Sequence, residues 1–406
     1  MNPSLFALNA LNFFMADVQA GLGPFLGVFL QARHWSPAEI GIVMTIAGVA
    51  GMVVTAPLGA LVDRTTAKRA VVIVCALVIT AATVAILFRP AFAVVSMAQV
   101  ATGLAGAGVN PAIAAITLGI VHQRGFSHQL GRNQAFNHAG NVVAAALAGA
   151  TGYLFGLSAV FAVLAVMAAM SIAATLFIDP RVIDHRAACG AGRKTGDGVA
   201  KFAVLLQSRE LMVLGVTLTL FHLGNAAMLP LLGQALTARG GNPSAYTGAT
   251  VVVAQLAMIP MALLAARLAE ARGYWLVFLL ALLALPVRGL TASLVIAPWG
   301  LAPVQILDAV GAGLLGVAVP GLVARILAGT GHVNAGLGAV LTLQTVGAAL
   351  STTVGGVFAQ RWGYGAAFLA LGAIALAALV LWIAARPLMA PACANHADEA
   401  NPEVAA

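Results

Sequence analysis

The chain has 406 residues, 61% of them hydrophobic and only 8% charged, with a mean hydropathy of +1.00. No soluble domain of that size hides so much apolar surface, so a lipid bilayer must be the solvent for most of it. The net charge of +8 is no nucleic-acid signal, because the bases collect in alternate turns between apolar stretches.

Crossing the hydrocarbon core takes about 20 apolar residues per helix. Twelve such stretches are predicted, at about 4–30, 37–61, 70–88, 91–121, 133–155, 157–178, 210–236, 246–266, 274–296, 301–324, 334–358 and 364–385. The fold class is an all-α membrane protein. The first stretch is not expected to be a cleaved leader, since no Lys or Arg precedes it and more membrane follows. It carries Asn12, Asp17 and Gln19, then Gly21, Gly23 and Pro24, which loosen a helix where a site needs a bend. A carboxyl in mid-membrane with no base in its own helix must titrate or find a partner elsewhere, so Asp17 is a candidate proton carrier.

Ser36-Pro37-Ala38-Glu39 reads as a capping box opening the second stretch. The turn after it holds Gly59, Leu61, Asp63, Arg64, Lys68 and Arg69. Asp63 stands at a helix C-terminus, where the dipole disfavours an acid. It is expected to be held by these bases or by a helix N-terminus near Asn334, forming a cytoplasmic gate latch. The fourth stretch carries Gln99 and Asn110, and the fifth carries Gln134, His138 and Asn141 at i, i+4 and i+7, one helix face. The polar interval 179–209 contains Gly190, Gly192, Gly196 and Gly198 and reads as a linker between an N-terminal bundle, 1–178, and a C-terminal one, 210–385.

In the second half, His222 and Asn225 share a face of the seventh stretch, Gln255 lies in the eighth, and Glu270 follows it in a turn. Arg288 is in the ninth, Gln305 and Asp308 in the tenth, and Gln344 in the eleventh. A guanidinium in lipid is costly unless paired, and Asp308 is the acid nearest in sequence across a short turn. Arg288 and Asp308 are therefore read as a second ionisable site, an ion pair inside the membrane. Asn12, Gln19, Asn110, Gln134, His138, Asn141, His222, Asn225, Gln255, Gln305 and Gln344 are the expected cavity groups. The tail, 386–406, is predicted to be cytoplasmic and disordered.

The halves repeat. Gln99 and Gln305 are 206 residues apart, as are Pro24 and Pro230, and Asp63 and Glu270 are 207 apart. Two similar bundles of apolar helices are the signature of a secondary transporter, with its ligand site between halves near the midplane. Fifteen Lys and Arg fall in one set of turns and the tail, four (Arg33, Arg89, Arg239, Arg361) in the other, with Arg288 inside. Positive-inside logic then puts both termini in the cytoplasm, in what is expected to be a bacterial inner membrane.

Cys75, Cys189 and Cys393 show neither metal spacing nor a shared oxidising compartment, so no disulfide is expected. No metal or cofactor is expected, since the acids and histidines lack ligand spacing on one helix. No clustered nucleophile suggests an enzyme. The expected partners are a small-molecule substrate, protons and the bilayer, with no nucleic acid, and the chain is expected to be a monomer.

Gly59-Ala-Leu61-Val-Asp63-Arg64-Thr-Thr-Ala-Lys68-Arg69 resembles the cytoplasmic signature of the major facilitator superfamily. A degenerate copy follows at Ala266-Arg-Leu268-Ala-Glu270-Ala-Arg272-Gly273, and Thr66 and Ala67 depart from the pattern. The resemblance implies two six-helix bundles around a central cavity, working by alternating access. Arg288 in segment nine facing Asp308 in segment ten resembles the coupling arrangement of oligosaccharide–proton symporters, which implies a proton-coupling role for the pair. The motifs of the superfamily's efflux branch are broken at Gln99 and at Tyr153-Leu154. The expected function is proton-coupled transport of a small organic solute, with symport favoured; a proton antiporter exporting drugs or metabolites is the alternative.

Overall fold

The computed structural model describes residues 3–19, 21–188, 208–327 and 333–394, and these are overwhelmingly helical. In chain order the helices are α1 Pro3–Val18, α2 Pro24–Gln31, α3 Pro37–Arg64, α4 Lys68–Phe88, α5 Phe92–Phe155, α6 Ala159–Phe177 and α7 His185–Ala188. They continue as α8 Arg209–Asn225, α9 Met228–Ala238, α10 Pro243–Arg272, α11 Tyr274–Leu294, α12 Leu301–Ile326, α13 Val333–Ala384 and α14 Arg386–Cys393. Nine stretches among the described residues are long and apolar enough to cross a membrane. Phe88, Phe155, Phe177 and Trp299 are 70–80% exposed, an outward apolar surface that lipid would cover.

The helix ends differ from the sequence expectation in physically legible ways. The first segment breaks into α1 and α2 because Gly21 and Gly23 adopt φ of 57° and 48°, a region costly for side chains other than glycine. The polar stretch between the fourth and fifth segments is not a loop. Helix runs through it, and only His122 (φ 52°, ψ −175°) interrupts α5. Gly363 (φ 87°) makes the corresponding break within α13. The capping box forms: Ser36 N donates to Glu39 Oε2 at 2.9 Å, and Glu39 N to Ser36 Oγ at 3.3 Å.

The chain divides into two compact units, one of Met1–Trp35, Ile42–Thr195 and Leu236–Val252, the other of Ser36–Gly41, Gly196–Ala235 and Val253–Ala406. In the first, Leu8, Leu11 and Met15 of α1 pack with Val72, Ala76 and Ile79 of α4, Val109 and Ile116 of α5 and Met167 of α6. Linker residues Asp179–Ala188 are ordered against this bundle: Asp184 N donates to Gly119 O at 3.0 Å and Asp179 N to Ser4 Oγ at 3.2 Å.

In the second unit α8 lies along α13. A Cβ on Gly347 would collide with the backbone of Thr219 and Leu223, so the absence of a side chain there sets the approach. The tail is not disordered from its start, contrary to expectation. Arg386–Cys393 forms α14, with Met389 and Cys393 buried and Arg325 Nη1 donating to the carbonyl of Ala394. Pro387 occupies the first helical turn, where no amide partner is needed, and Pro391 lies inside the helix.

Candidate functional site

Helices α11 and α12 run antiparallel through the 3-10 turn Pro298–Gly300, which brings Arg288 beside Gln305 and Asp308. Arg288 Nη1 lies 2.9 Å from Asp308 Oδ1. The same nitrogen donates to Asn225 Oδ1 at 2.5 Å, and Nη2 donates to Gln305 Oε1 at 3.0 Å. Arg288 and Gln305 are 0% exposed and Asp308 6%. Among the described residues no hydrogen bond is aligned on Asp308 Oδ1, so the contact with Arg288 is a charge pair and not a directed bond. Arg288 Nε and Gln305 Nε2 are likewise buried and unpartnered among the described residues. A neutral pair of opposite charges in an apolar interior is tolerable, but removing one member strands the other at a cost of about 3–5 kcal/mol.

Asn225 is half-buried and is the last residue of α8. The helix breaks at Ala226–Ala227 before α9, and the freed Ala227 N–H is taken by the fully buried Ser351 Oγ at 2.9 Å. Thr219 Oγ1 also donates to Leu343 O at 3.2 Å, so α13 steadies α8 up to the break. His222 is half-buried one turn before Asn225.

In the other unit, Asp17 lies at the end of α1 just before the glycine break. It is half-buried and has neither ion pair nor hydrogen bond among the described residues. Asn12 Nδ2 bonds its own helix at Leu8 O (2.8 Å), and Asn141 Nδ2 donates to Asn137 Oδ1 at 3.2 Å. Asn110, Gln134 and His138 are exposed, and Gln19, Gln255 and Gln344 half-buried. Asn225 and Gln305 therefore differ from the rest: they were read as cavity groups and are found on Arg288.

At the turn signature after α3, Lys68 is fully buried and its Nζ donates to Val62 O (2.9 Å) and Thr65 O (2.8 Å). Arg69 donates to Thr175 O (3.0 Å) and Leu176 O (2.9 Å) at the end of α6. Both bases thus satisfy orphan carbonyls at helix C-termini, where positive charge is favoured. Arg64 and Glu270 are exposed, and a Cβ on Gly59 would meet nothing. The side chains of Asp63 and Asn334 lie outside the described residues.

An apolar chain with two helix breaks, a buried charge pair and this turn signature matches the MFS_1 like family over residues 5–370. The chain belongs to that family. Two MFS-type transporters from strains of Mycobacterium tuberculosis, CDC 1551 / Oshkosh and ATCC 25618 / H37Rv, are each 44% identical over 386 residues, 94% of this chain and 92% of theirs. A crystal structure of the nucleoside transporter NupG aligns with TM-score 0.77 at 15% identity, covering 95% of this chain and 99% of that one. The peptide transporter POT, in complex with sulfate, aligns with TM-score 0.77 at 13% identity, covering 96% of each chain. At such identities the two structures establish the fold alone.

This MFS-type transporter has a second polar network that the sequence reading missed. Gln129 Nε2 donates to Asn9 Oδ1 (2.8 Å) and Asn133 Oδ1 (3.0 Å), and Asn133 Nδ2 donates to Thr117 Oγ1 (2.9 Å). It ties α1 to both arms of α5. Gln129 and Asn133 are i and i+4, a signal lost when 122–132 is taken for a loop.

Proposed function

We propose that the chain is a proton-coupled symporter of a small organic solute, working by alternating access between six-helix bundles 1–178 and 210–385. The linker 179–209 joins them, both termini are cytoplasmic, and the working unit is a monomer in a bacterial inner membrane. The observation that carries this reading is the buried Arg288–Asp308 pair. An ion pair inside the membrane is expensive to keep, and a carboxylate that binds and releases a proton against a fixed guanidinium gives it a use. Asp17, unpartnered beside the break in the first segment, is the second acid that a proton can visit.

The test is solute-driven proton movement in proteoliposomes containing a pH-sensitive dye. Nucleosides and peptides, the solutes named for the two structural neighbours, form the first panel. Symport acidifies the lumen as solute enters, whereas antiport, the alternative, alkalinises it. Asp308→Asn should abolish accumulation driven by a pH gradient while sparing exchange of solute at equal concentrations. Asp17→Asn separates the acids: if it alone abolishes accumulation, the proton is carried in the first unit and Arg288–Asp308 is a static bridge.

A further inference from the structure

The free valences around Arg288 say what kind of solute would fit. Asn225 Oδ1 is occupied by the guanidinium, so its amide Nδ2 is left to donate, from a half-buried position at the helix break. Gln305 has the same polarity: Oε1 accepts from Arg288, and Nε2 has no partner among the described residues. Arg288 Nε is a third unused donor. His222, one turn before Asn225 on the same helix, adds an imidazole without a hydrogen bond to its ring among the described residues. Against these donors stands one acid, Asp308, already beside Nη1. A site rich in donors is complementary to a solute rich in acceptors.

Charge balance sharpens this. With both groups ionised the pair is neutral. A proton on Asp308 leaves Arg288 as a buried cation, held only by the neutral oxygens of Asn225 and Gln305. Among the described residues of the surrounding helices, the other ionisable groups are His222 and, near helix ends or the Gly363 break, Arg209, Glu210, Tyr246, Arg267, Glu270, Arg272, Tyr274, Arg325, Arg361 and Tyr364. None of these supplies a second anion in the middle of α8, α11, α12 or α13.

We propose that the solute is an organic carboxylate, whose anion docks on Asn225 and replaces Asp308 as the counter-ion of Arg288 when Asp308 is protonated. The proposal rests on the symport reading and adds its substrate class. The proton goes to Asp308 and the carboxylate to Arg288, so the loaded site is neutral again and proton and anion cross together. Asn225 is the specificity-determining residue, because it is half-buried at the helix break and holds the fully buried guanidinium.

The test uses acid–amide pairs of one shape: nicotinate with nicotinamide, benzoate with benzamide, and lactate with lactamide. Each is measured by thermal stabilisation of the full-length protein in detergent and by uptake into proteoliposomes. We expect at least one acid to bind, with its amide about ten- to a hundredfold weaker, as for loss of a charge-assisted hydrogen bond. Asn225→Asp, equal in volume, should abolish acid binding by placing a fixed carboxylate in the docking position. Asn225→Gln, which keeps the amide, should weaken it without removing it. The proposal is overturned if no acid in the panel binds, if amides bind as well as acids, or if Asn225→Asp leaves acid affinity unchanged. The two readings fail separately. Acid binding that survives with proton-independent uptake sinks symport alone; proton-driven uptake of a nucleoside with no acid binding sinks the carboxylate alone.

Discussion

Arg288 differs from an ordinary ion-pair partner because it holds three groups at once. Arg288→Ala or Asp308→Ala alone should lower stability by about 3–5 kcal/mol, since each strands a charge in an apolar interior. The double variant should recover part of that loss but not all, because Asn225 Oδ1 and Gln305 Oε1 then lose their donor. Thermal unfolding of the three variants measures this, and strictly additive losses would mean the side chains do not couple. Lys68 presents a different case. Its buried ammonium caps two carbonyls at the end of α3, so Lys68→Met should destabilise by about 1–3 kcal/mol while leaving solute affinity intact. Equilibrium binding measured beside thermal unfolding checks it.

Among the elements, the breaks in the first and seventh segments arise differently. Glycines with positive φ make the first, and it was legible because Gly21, Gly23 and Pro24 stand together. The seventh has no such glycine pair at its break, and Ser351 on another helix satisfies the freed amide of Ala227. The polar run Ser351-Thr352-Thr353 does not say which amide it serves until the helix beside it is known. The same holds for α14, whose few apolar residues cannot form a core alone. Trp275, Phe278 and Trp382 stack in a row, with ring centroids 5.1 and 4.6 Å from Trp382, and Arg386 lies 5.8 Å from the Trp275 ring. Burial pushes the Cys393 thiol up to about 12, with Arg325 opposing weakly. The reactive thiolate is therefore scarce at pH 8, and maleimide should label Cys393 slower than a free thiol by about two to three orders of magnitude. Labelling at the rate of a free thiol would show that α14 undocks.

For the whole molecule, the distribution of bases predicts orientation. A reporter active only outside the cytoplasm should be inactive when fused after Lys194 and active after Gly240. The opposite pattern would invert the topology and exchange the faces on which the helix ends around Lys68 and Arg69 lie.

Amino-acid order alone determined that the chain lives in a bilayer, that it is built of apolar helices, and that Arg288 needs an acid. These follow from composition, spacing and the cost of a charge in lipid, which require no coordinates. The tertiary structure decided which polar residues meet. Asn225 and Asn110 look equivalent in sequence, yet one holds a guanidinium and the other is exposed. Gln129 became visible as a partner of Asn9 only when a presumed loop proved helical. A polar side chain's role depends on what faces it across the helix interface, and that facing is set by small residues such as Gly347 that let particular backbones approach.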